Sequence, residues 1–120
     1  MKPKVVLIAD DNRDAAETLG MVLSLSGFEV LLAFDGRQAL DTAERERPDA
    51  VVLDIGMPFM NGYQVAQAIR AQPWGEGLLL IALTGWGLEG EQQKTSSDAG
   101  FDHHLVKPVD PDVLERLLAA

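Results

Sequence analysis

The sequence of 120 residues contains no cysteine, which excludes a disulfide framework and thiol chemistry and fits a reducing cytoplasm. Basic residues are also few: 10 Lys and Arg against 19 Asp and Glu give a net charge of -9. This charge argues against direct binding of nucleic acid or of an anionic membrane surface, and it suits a metal cation or a basic partner. The longest purely apolar run, residues 78–83, is too short to cross a bilayer.

The most informative stretch that is present runs from Ala50 to Asp54, where four apolar residues lead directly into a carboxylate. An unbroken apolar run of this length is typical of a strand that is covered on both faces, as in parallel sheets. A second such run, Val5 to Ala9, leads into Asp10 and Asp11. Ligands of open parallel sheets bind outside the carboxyl ends of the strands. Asp54 is therefore the first candidate for a functional residue.

Strand and helix patterns alternate five times along the chain, without repeats or linkers. We predict strands over 5–9, 28–34, 50–54, 78–83 and 101–106 and helices over 12–26 and 36–47, after Asn61, over 86–100 and after Asp110. Residues 71–77 are predicted to form a loop. The helix over 86–100 has a poor pattern, because Gly90 and the polar residues 95–97 are weak helix formers.

Five strand–helix units predict one α/β domain over residues 1–120, with a parallel sheet between two layers of helices. The flavodoxin-like strand order 2-1-3-4-5, with five helices, fits this number of units. The first and third strands are neighbours in that order. Asp10, Asp11 and Asp54 are then expected to converge on one crevice.

Two further strands end in functional side chains, Thr84 and Lys107. Taken singly, each of these residues has an ordinary structural explanation as a helix cap, a turn residue or a solvated amine. Together with the carboxylates they form a coherent set: acidic oxygens hold Mg²⁺, while a hydroxyl and an ammonium bind phosphoryl oxygens. A carboxylate nucleophile beside these groups is what phosphoryl transfer requires.

The ordered motifs Ala9–Asn12, Leu53–Pro58, Leu83–Gly85 and Val106–Pro108 resemble those of receiver domains of two-component response regulators, and the match covers essentially the whole chain. The ending, residues 101–112, is most similar to receivers that are fused to hybrid histidine kinases. On this basis the chain is either a stand-alone regulator or a domain of a larger protein.

The resemblance implies that Asp54 accepts a phosphoryl group from a phosphohistidine on a histidine kinase or a histidine phosphotransfer protein. It implies that Mg²⁺ is bound by Asp11, by Asp10 through water, by Asp54 and by the backbone carbonyl of Gly56. Thr84 and Lys107 are implied to contact the phosphoryl group, with a cis peptide bond before Pro108. The face formed by the helix over 86–100, the last strand and the last helix is implied to switch and to contact a second copy or a kinase domain.

The sequence also departs from the family pattern. His104 stands three residues before Lys107, where a Tyr or Phe that moves with the Thr is usual, and a half-exposed imidazole at a strand edge is the simpler interpretation. Gly56 and Trp86 lie two residues beyond Asp54 and Thr84, where family side chains control access of water to the phosphoryl group. The lifetime of the phosphoryl group therefore does not follow from the sequence.

Two other functions compete with a phosphorylation-controlled switch. A haloacid-dehalogenase-like phosphatase also uses an Asp nucleophile, Mg²⁺, a Thr or Ser and a Lys, but it has a second Asp two residues after the nucleophile, where this chain has Gly56. An interaction module without phosphorylation is the other alternative, although every site residue is present. We therefore interpret the chain as a switch rather than a turnover enzyme.

Overall fold

The computed structural model describes residues 4–85 and 99–119. Its elements are β1 (Val5–Ala9), α1 (Arg13–Leu25), β2 (Glu29–Ala33), α2 (Gly36–Glu46), β3 (Ala50–Asp54), α3 (Gly62–Arg70), a 3₁₀ turn (Pro73–Gly75), β4 (Leu79–Thr84), β5 (His103–Val106) and α4 (Pro111–Ala119). The helix predicted over 86–100 falls almost wholly outside the described residues. Within the described part of the chain, no helix is long and apolar enough to span a membrane.

All strand pairs are parallel, and the sheet order is β2-β1-β3-β4-β5. The flavodoxin-like fold predicted from the sequence is therefore confirmed. β1 and β3 are neighbours, with Ala9 paired with Leu53, and β3 is paired on its other side with β4. The residues after β1 and at the end of β3 therefore lie side by side at the carboxyl edge of the sheet.

The apolar runs of the central strands are buried because helices cover both faces of the sheet. One core cluster joins alternate strand residues to α2 and α3, for example Leu53 with Val65 and Ile69. The other cluster joins the remaining strand residues to α1 and α4, for example Val52 with Leu23 and Leu114. Burial of this apolar area is the main stabilising contribution to the fold.

Side-chain caps determine where the helices begin. The Asn12 side chain accepts a hydrogen bond from the Ala15 N–H at the start of α1, and Asp35 does the same for Gln38 at the start of α2. α3, the helix predicted after Asn61, begins with a capping box, in which Asn61 and Gln64 each bond the other's backbone N–H. Because α1 and α3 follow β1 and β3 directly, these caps determine the paths of the two loops at the carboxyl edge.

Candidate functional site

Three carboxylates meet at the carboxyl edge of the sheet. One oxygen each of Asp10, Asp11 and Asp54 lies within 4.8 Å of the others. Asp10 and Asp54 are buried, with 3% and 7% of their surface exposed, whereas Asp11 is exposed. The parallel sheet brings them together because their strands, β1 and β3, are adjacent and end at the same level.

Backbone groups orient the two buried carboxylates. The Asn12 N–H donates to Asp10 Oδ1 at 3.0 Å, and the Gly56 N–H donates to Asp54 Oδ1 at 3.1 Å. Each carboxylate therefore has one oxygen held by its own loop. The Oδ2 atoms of both residues remain directed toward the crevice, where a cation contacts them.

That cation is Lys107, which follows β5. Its Nζ lies 3.1 Å from Asp10 Oδ2 and 3.3 Å from Asp54 Oδ2. Burial alone would lower the pKa of Lys107, but the hydrogen bonds and negative charges of Asp10 and Asp54 outweigh this effect and raise its pKa. Lys107 is therefore a permanent positive charge at neutral pH.

Among the described residues, the cluster holds three carboxylates and one ammonium, which pairs with Asp10 and Asp54, so negative charge is in excess. Oxygen ligands at this density are suited to a hard divalent cation such as Mg²⁺. The donor set therefore fits Mg²⁺, with Asp10, Asp11 and Asp54 as the groups that can hold it. Gly56 is exposed, and a Cβ atom at this position would lie no closer than 3.9 Å to Asp54 Oδ1, so the crevice is open on this side.

Thr84 ends β4 beside this cluster and is 5% exposed. Asp54 is paired with Leu83 across the sheet, so Thr84 lies one residue beyond the level of Asp54. The Lys107 N–H donates to the Thr84 carbonyl at 2.7 Å, which links the ends of β4 and β5. The Lys107–Pro108 peptide bond is cis. The structure thus places Thr84 and Lys107 at the same edge as the carboxylates.

His104 lies outside the charged cluster, on β5, where it is half-buried and paired with Ala82. Its ring centroid is 6.3 Å from that of Phe101, which in turn contacts Tyr63 at 6.3 Å. Burial and the neighbouring His103 both lower the pKa of His104. His104 is thus a half-buried imidazole beside the Phe101 ring, and a switch role for it stays a prediction.

Phe59, between β3 and α3, is a residue to which the sequence analysis assigns no role. Phe59 has a φ of 68°, a left-handed conformation that costs an L-residue about 1–2 kcal/mol. Its side chain is 86% exposed. No pattern in the sequence marks it, because a Phe between Pro58 and Met60 is equally compatible with a buried ring.

The chain also matches a known protein family over nearly its whole length. The profile of the response regulator receiver domain matches residues 6–119. The chain belongs to this family. Receiver domains are in general phosphorylation-dependent switches that bind Mg²⁺ in an acidic active site and interact with histidine kinases.

Individual relatives agree with this assignment. The response regulator MprA of Mycolicibacterium vanbaalenii is 42% identical to this receiver domain over 117 residues, which are 98% of this chain and 48% of the relative. The chain therefore spans about half the length of that relative.

Solved structures of receiver domains share the fold. Chemotaxis protein CheY4 of Vibrio cholerae has a TM-score of 0.91 and 31% identity, over 98% of this chain and 97% of CheY4. The receiver domain of sensor histidine kinase PA1611 from Pseudomonas aeruginosa has a TM-score of 0.87 and 34% identity, over 97% and 94% of the two chains. That structure has a magnesium ion coordinated in its active-site cleft.

Proposed function

We propose that this receiver domain accepts a phosphoryl group on Asp54 from a phosphohistidine of a histidine kinase or a histidine phosphotransfer protein, with Mg²⁺. The main support for the proposal is the position of Asp54 between the positive charge of Lys107 and the negative charges of Asp10 and Asp11. Its Oδ2 lies 3.3 Å from Lys107 Nζ, and its carboxylate lies among the oxygens of Asp10 and Asp11. A nucleophilic carboxylate beside a cation and a set of metal ligands is suited to phosphoryl transfer.

In the proposed reaction, an Asp54 carboxylate oxygen forms a bond to phosphorus while the bond from phosphorus to the imidazole nitrogen of the donor breaks. The electron pair of that bond stays on the imidazole. The Gly56 N–H holds Asp54 Oδ1, so Oδ2 is the oxygen directed toward the crevice. Mg²⁺ would neutralise charge on the phosphoryl oxygens. Lys107 stabilises negative charge beside Asp54 as a point charge that stays protonated.

The proposed response to phosphorylation involves Thr84, whose hydroxyl is of the type that bonds a phosphoryl oxygen. On this proposal, Thr84 bonds the phosphoryl group, and the face that includes β5 and α4 changes its arrangement. The remainder of the face predicted from the sequence, residues 86–98, lies outside the described residues. The link is supported by the hydrogen bond from the Lys107 N–H to the Thr84 carbonyl, which connects the site to β5. Equal hydrogen exchange of this face with and without beryllofluoride would contradict the coupling.

Labelling with a small donor tests the chemical step without a partner protein. The chain is incubated with phosphoramidate and Mg²⁺, and one added phosphoryl group is measured by intact-mass spectrometry. We expect labelling of the wild type and a loss of at least about 100-fold in Asp54→Asn, because an amide is a poor nucleophile. Chelation of the metal is expected to have a similarly large effect.

Asp41→Asn is the matched control, because Asp41 is an exposed carboxylate on α2 that should not affect labelling. If the folded wild type is not labelled, or if Asp54→Asn is labelled like the wild type, Asp54 is not the phosphoacceptor. The first result would favour the alternative, an interaction module without phosphorylation. Turnover of a small phosphoester would instead favour a phosphatase.

A further inference from the structure

Phe59 has a backbone conformation that does not suit its side chain. The Met60 N–H donates to the Pro58 carbonyl at 2.8 Å, which makes Phe59 the corner of a γ-turn. With a φ of 68°, this is the rare and strained form of the turn. Gly adopts this conformation readily and Asn does so more easily than bulky residues, so the turn itself does not require Phe.

The ring also makes no contribution to the core. Phe59 is 86% exposed, and among the described residues no ring or cation contact involves it. Arg47, the other non-glycine residue with positive φ in the described part, differs in this respect. Arg47 ends α2, and its guanidinium donates to the Glu44 carbonyl and lies 4.8 Å from the Trp74 ring centroid. A contact within the described protein thus accounts for Arg47 but not for Phe59.

The loop that carries Phe59 is firmly attached to the fold. Met57 is 4% exposed, and the Gly62 N–H donates to the Ile55 carbonyl at 3.0 Å. Gly36 packs so closely that a Cβ atom there would lie 1.9 Å from the Met60 carbonyl oxygen. The exposed ring is therefore presented from a fixed base, five residues after Asp54. A rigid aromatic side chain of this kind loses little entropy when a partner covers it.

A second apolar feature lies on the other side of Asp54. Phe59 precedes α3, which covers one face of the sheet, whereas α1 and α4 cover the opposite face. A groove of 730 Å³ opens between α1 and the start of α4, and Asp10 and Lys107 belong to its lining. Its apolar lining includes Ala15, Leu19, Val22, Pro108 and Val109. Asp54 thus lies at the sheet edge between an exposed ring and an apolar groove.

We propose that Phe59 is a docking anchor for the protein that carries the donor phosphohistidine. This inference rests on the proposed function, because the donor imidazole must then approach Asp54 from solvent at this edge. A donor protein whose apolar side chains flank its histidine would contact the Phe59 ring on one side and the groove on the other. A small phosphodonor needs only the crevice, so it does not need Phe59.

The test compares two donors on one set of variants. Phosphoramidate reports the chemical step, and a purified histidine kinase reports docking. The kinase is the member of a panel that labels the wild type fastest. Phe59→Asn and Phe59→Gly remove the ring and suit the left-handed backbone, whereas Phe59→Trp keeps an aromatic anchor. Leu25→Ala is the matched control, since Leu25 is 84% exposed at the end of α1, near the opposite edge of the sheet.

We expect transfer from the kinase to fall by about tenfold or more in Phe59→Asn and Phe59→Gly, the size of an anchor residue's contribution. Transfer to Phe59→Trp and Leu25→Ala should stay near the wild-type rate. Labelling by phosphoramidate should be equal in all variants. The melting temperatures of Phe59→Asn and Phe59→Gly should equal or exceed that of the wild type, because both changes relieve the strained backbone.

Four outcomes would overturn the docking proposal. The first is that transfer from the kinase is unchanged when the ring is removed. The second is that transfer falls equally in Leu25→Ala. The third is that no kinase of the panel labels the wild type although phosphoramidate does. In the fourth, removal of the ring lowers labelling by both donors or lowers the melting temperature, which assigns Phe59 to the site chemistry or to the fold. Failure of the proposed function is distinct: phosphoramidate then does not label Asp54 in the wild type.

Discussion

The two edges of the sheet each carry a charged cluster, and the clusters differ in how completely their charges are paired. In the described part of the carboxyl edge, the carboxylates of Asp10, Asp11 and Asp54 lie together, and one ammonium, that of Lys107, pairs with Asp10 and Asp54. At the amino edge, the guanidinium of Arg70 faces a single carboxylate, that of Asp102, at 2.9 Å. One cluster has an excess of negative charge, and the other is neutral.

The amino-edge cluster is saturated with hydrogen bonds. Arg70 Nε donates to the Gly100 carbonyl at 3.0 Å, and Nη1 lies 2.6 Å from the Leu78 carbonyl oxygen and 2.8 Å from that of Gly75. Asp102 Oδ2 also accepts from the Leu80 N–H at 2.9 Å. Arg70 therefore ties the end of α3 to the starts of β4 and β5.

The difference separates a stabilising cluster from a binding cluster. Where a partly buried cation donates to several backbone carbonyls, its loss leaves those carbonyls without their donor. Where like charges crowd together, the fold is weakened, and a bound cation relieves the repulsion. We therefore expect changes at the two edges to affect stability with opposite signs.

The largest effect is expected for Arg70→Ala, which should lower the free energy of unfolding by about 1–3 kcal/mol, because partly buried backbone carbonyls lose their donor. Urea denaturation measures the change. Arg45→Ala is the control, since the Arg45–Glu46 pair is exposed and should contribute at most about 0.5 kcal/mol. Equal losses in the two variants would show that the amino-edge network is not a special stabilising feature.

On the proposed function, Mg²⁺ binds the folded state and should therefore stabilise the wild type by about 1.4 kcal/mol at ten times its Kd. Asp11→Asn should lose most of this gain, since it removes an exposed carboxylate from the ligand set. Arg70→Ala should keep the gain, because its site is at the other edge. Thermal unfolding with and without Mg²⁺ measures these effects. A gain that Asp11→Asn retains in full would place the ion elsewhere.

In the absence of Mg²⁺, Asp54→Asn should raise the free energy of unfolding by about 1 kcal/mol, because it removes one of three repelling carboxylates while Lys107 keeps Asp10. Urea denaturation in a chelating buffer measures the change. Asp49→Asn is the comparison at the amino edge. Because Asp49 Oδ2 accepts a hydrogen bond from the Val5 N–H, removal of this carboxylate should not raise the free energy of unfolding. A destabilised Asp54→Asn would mean that the pairing with Lys107 outweighs the repulsion.

The smallest effect concerns His104, whose pKa is lowered in the folded state by burial and by His103. The unfolded chain then binds more protons than the folded chain below a pH of about 6.5, so stability falls as the pH decreases through this range. Because solvent screens a half-buried ring, the loss should be a few tenths of a kcal/mol. His104→Phe should lose less stability between neutral and acidic pH. Parallel pH profiles for the two proteins would exclude this contribution.

The position of the candidate site residues at one edge of the sheet was predictable, because each lies at or just after the end of a strand whose pattern is local. The apolar runs that end at Asp10 and Asp54, and the alternation of strands with helices, predict both the sheet and the edge where the residues meet. The cap at Asn61 and the left-handed Gly27 after α1 were predictable for the same reason, since capping depends on residues within one turn.

Some boundaries were less accurate. The strand predicted from Phe101 begins at His103, because the Phe101 ring packs in the core and Asp102 bonds Leu80 and Arg70 ahead of the strand. The loop predicted over 71–77 contains the 3₁₀ turn Pro73–Gly75. In both cases contacts with residues far along the chain determine where regular structure starts.

The sequence by itself thus determined the order of the elements, the strand ends that carry functional groups and the family. Only the tertiary structure decided that Lys107 bridges Asp10 and Asp54, that Arg70 joins the starts of two strands, and that the Phe59 ring faces solvent. The physical reason is the range of the interactions. Periodicity and caps act between near neighbours, whereas these features depend on which distant groups the folded backbone brings within contact distance.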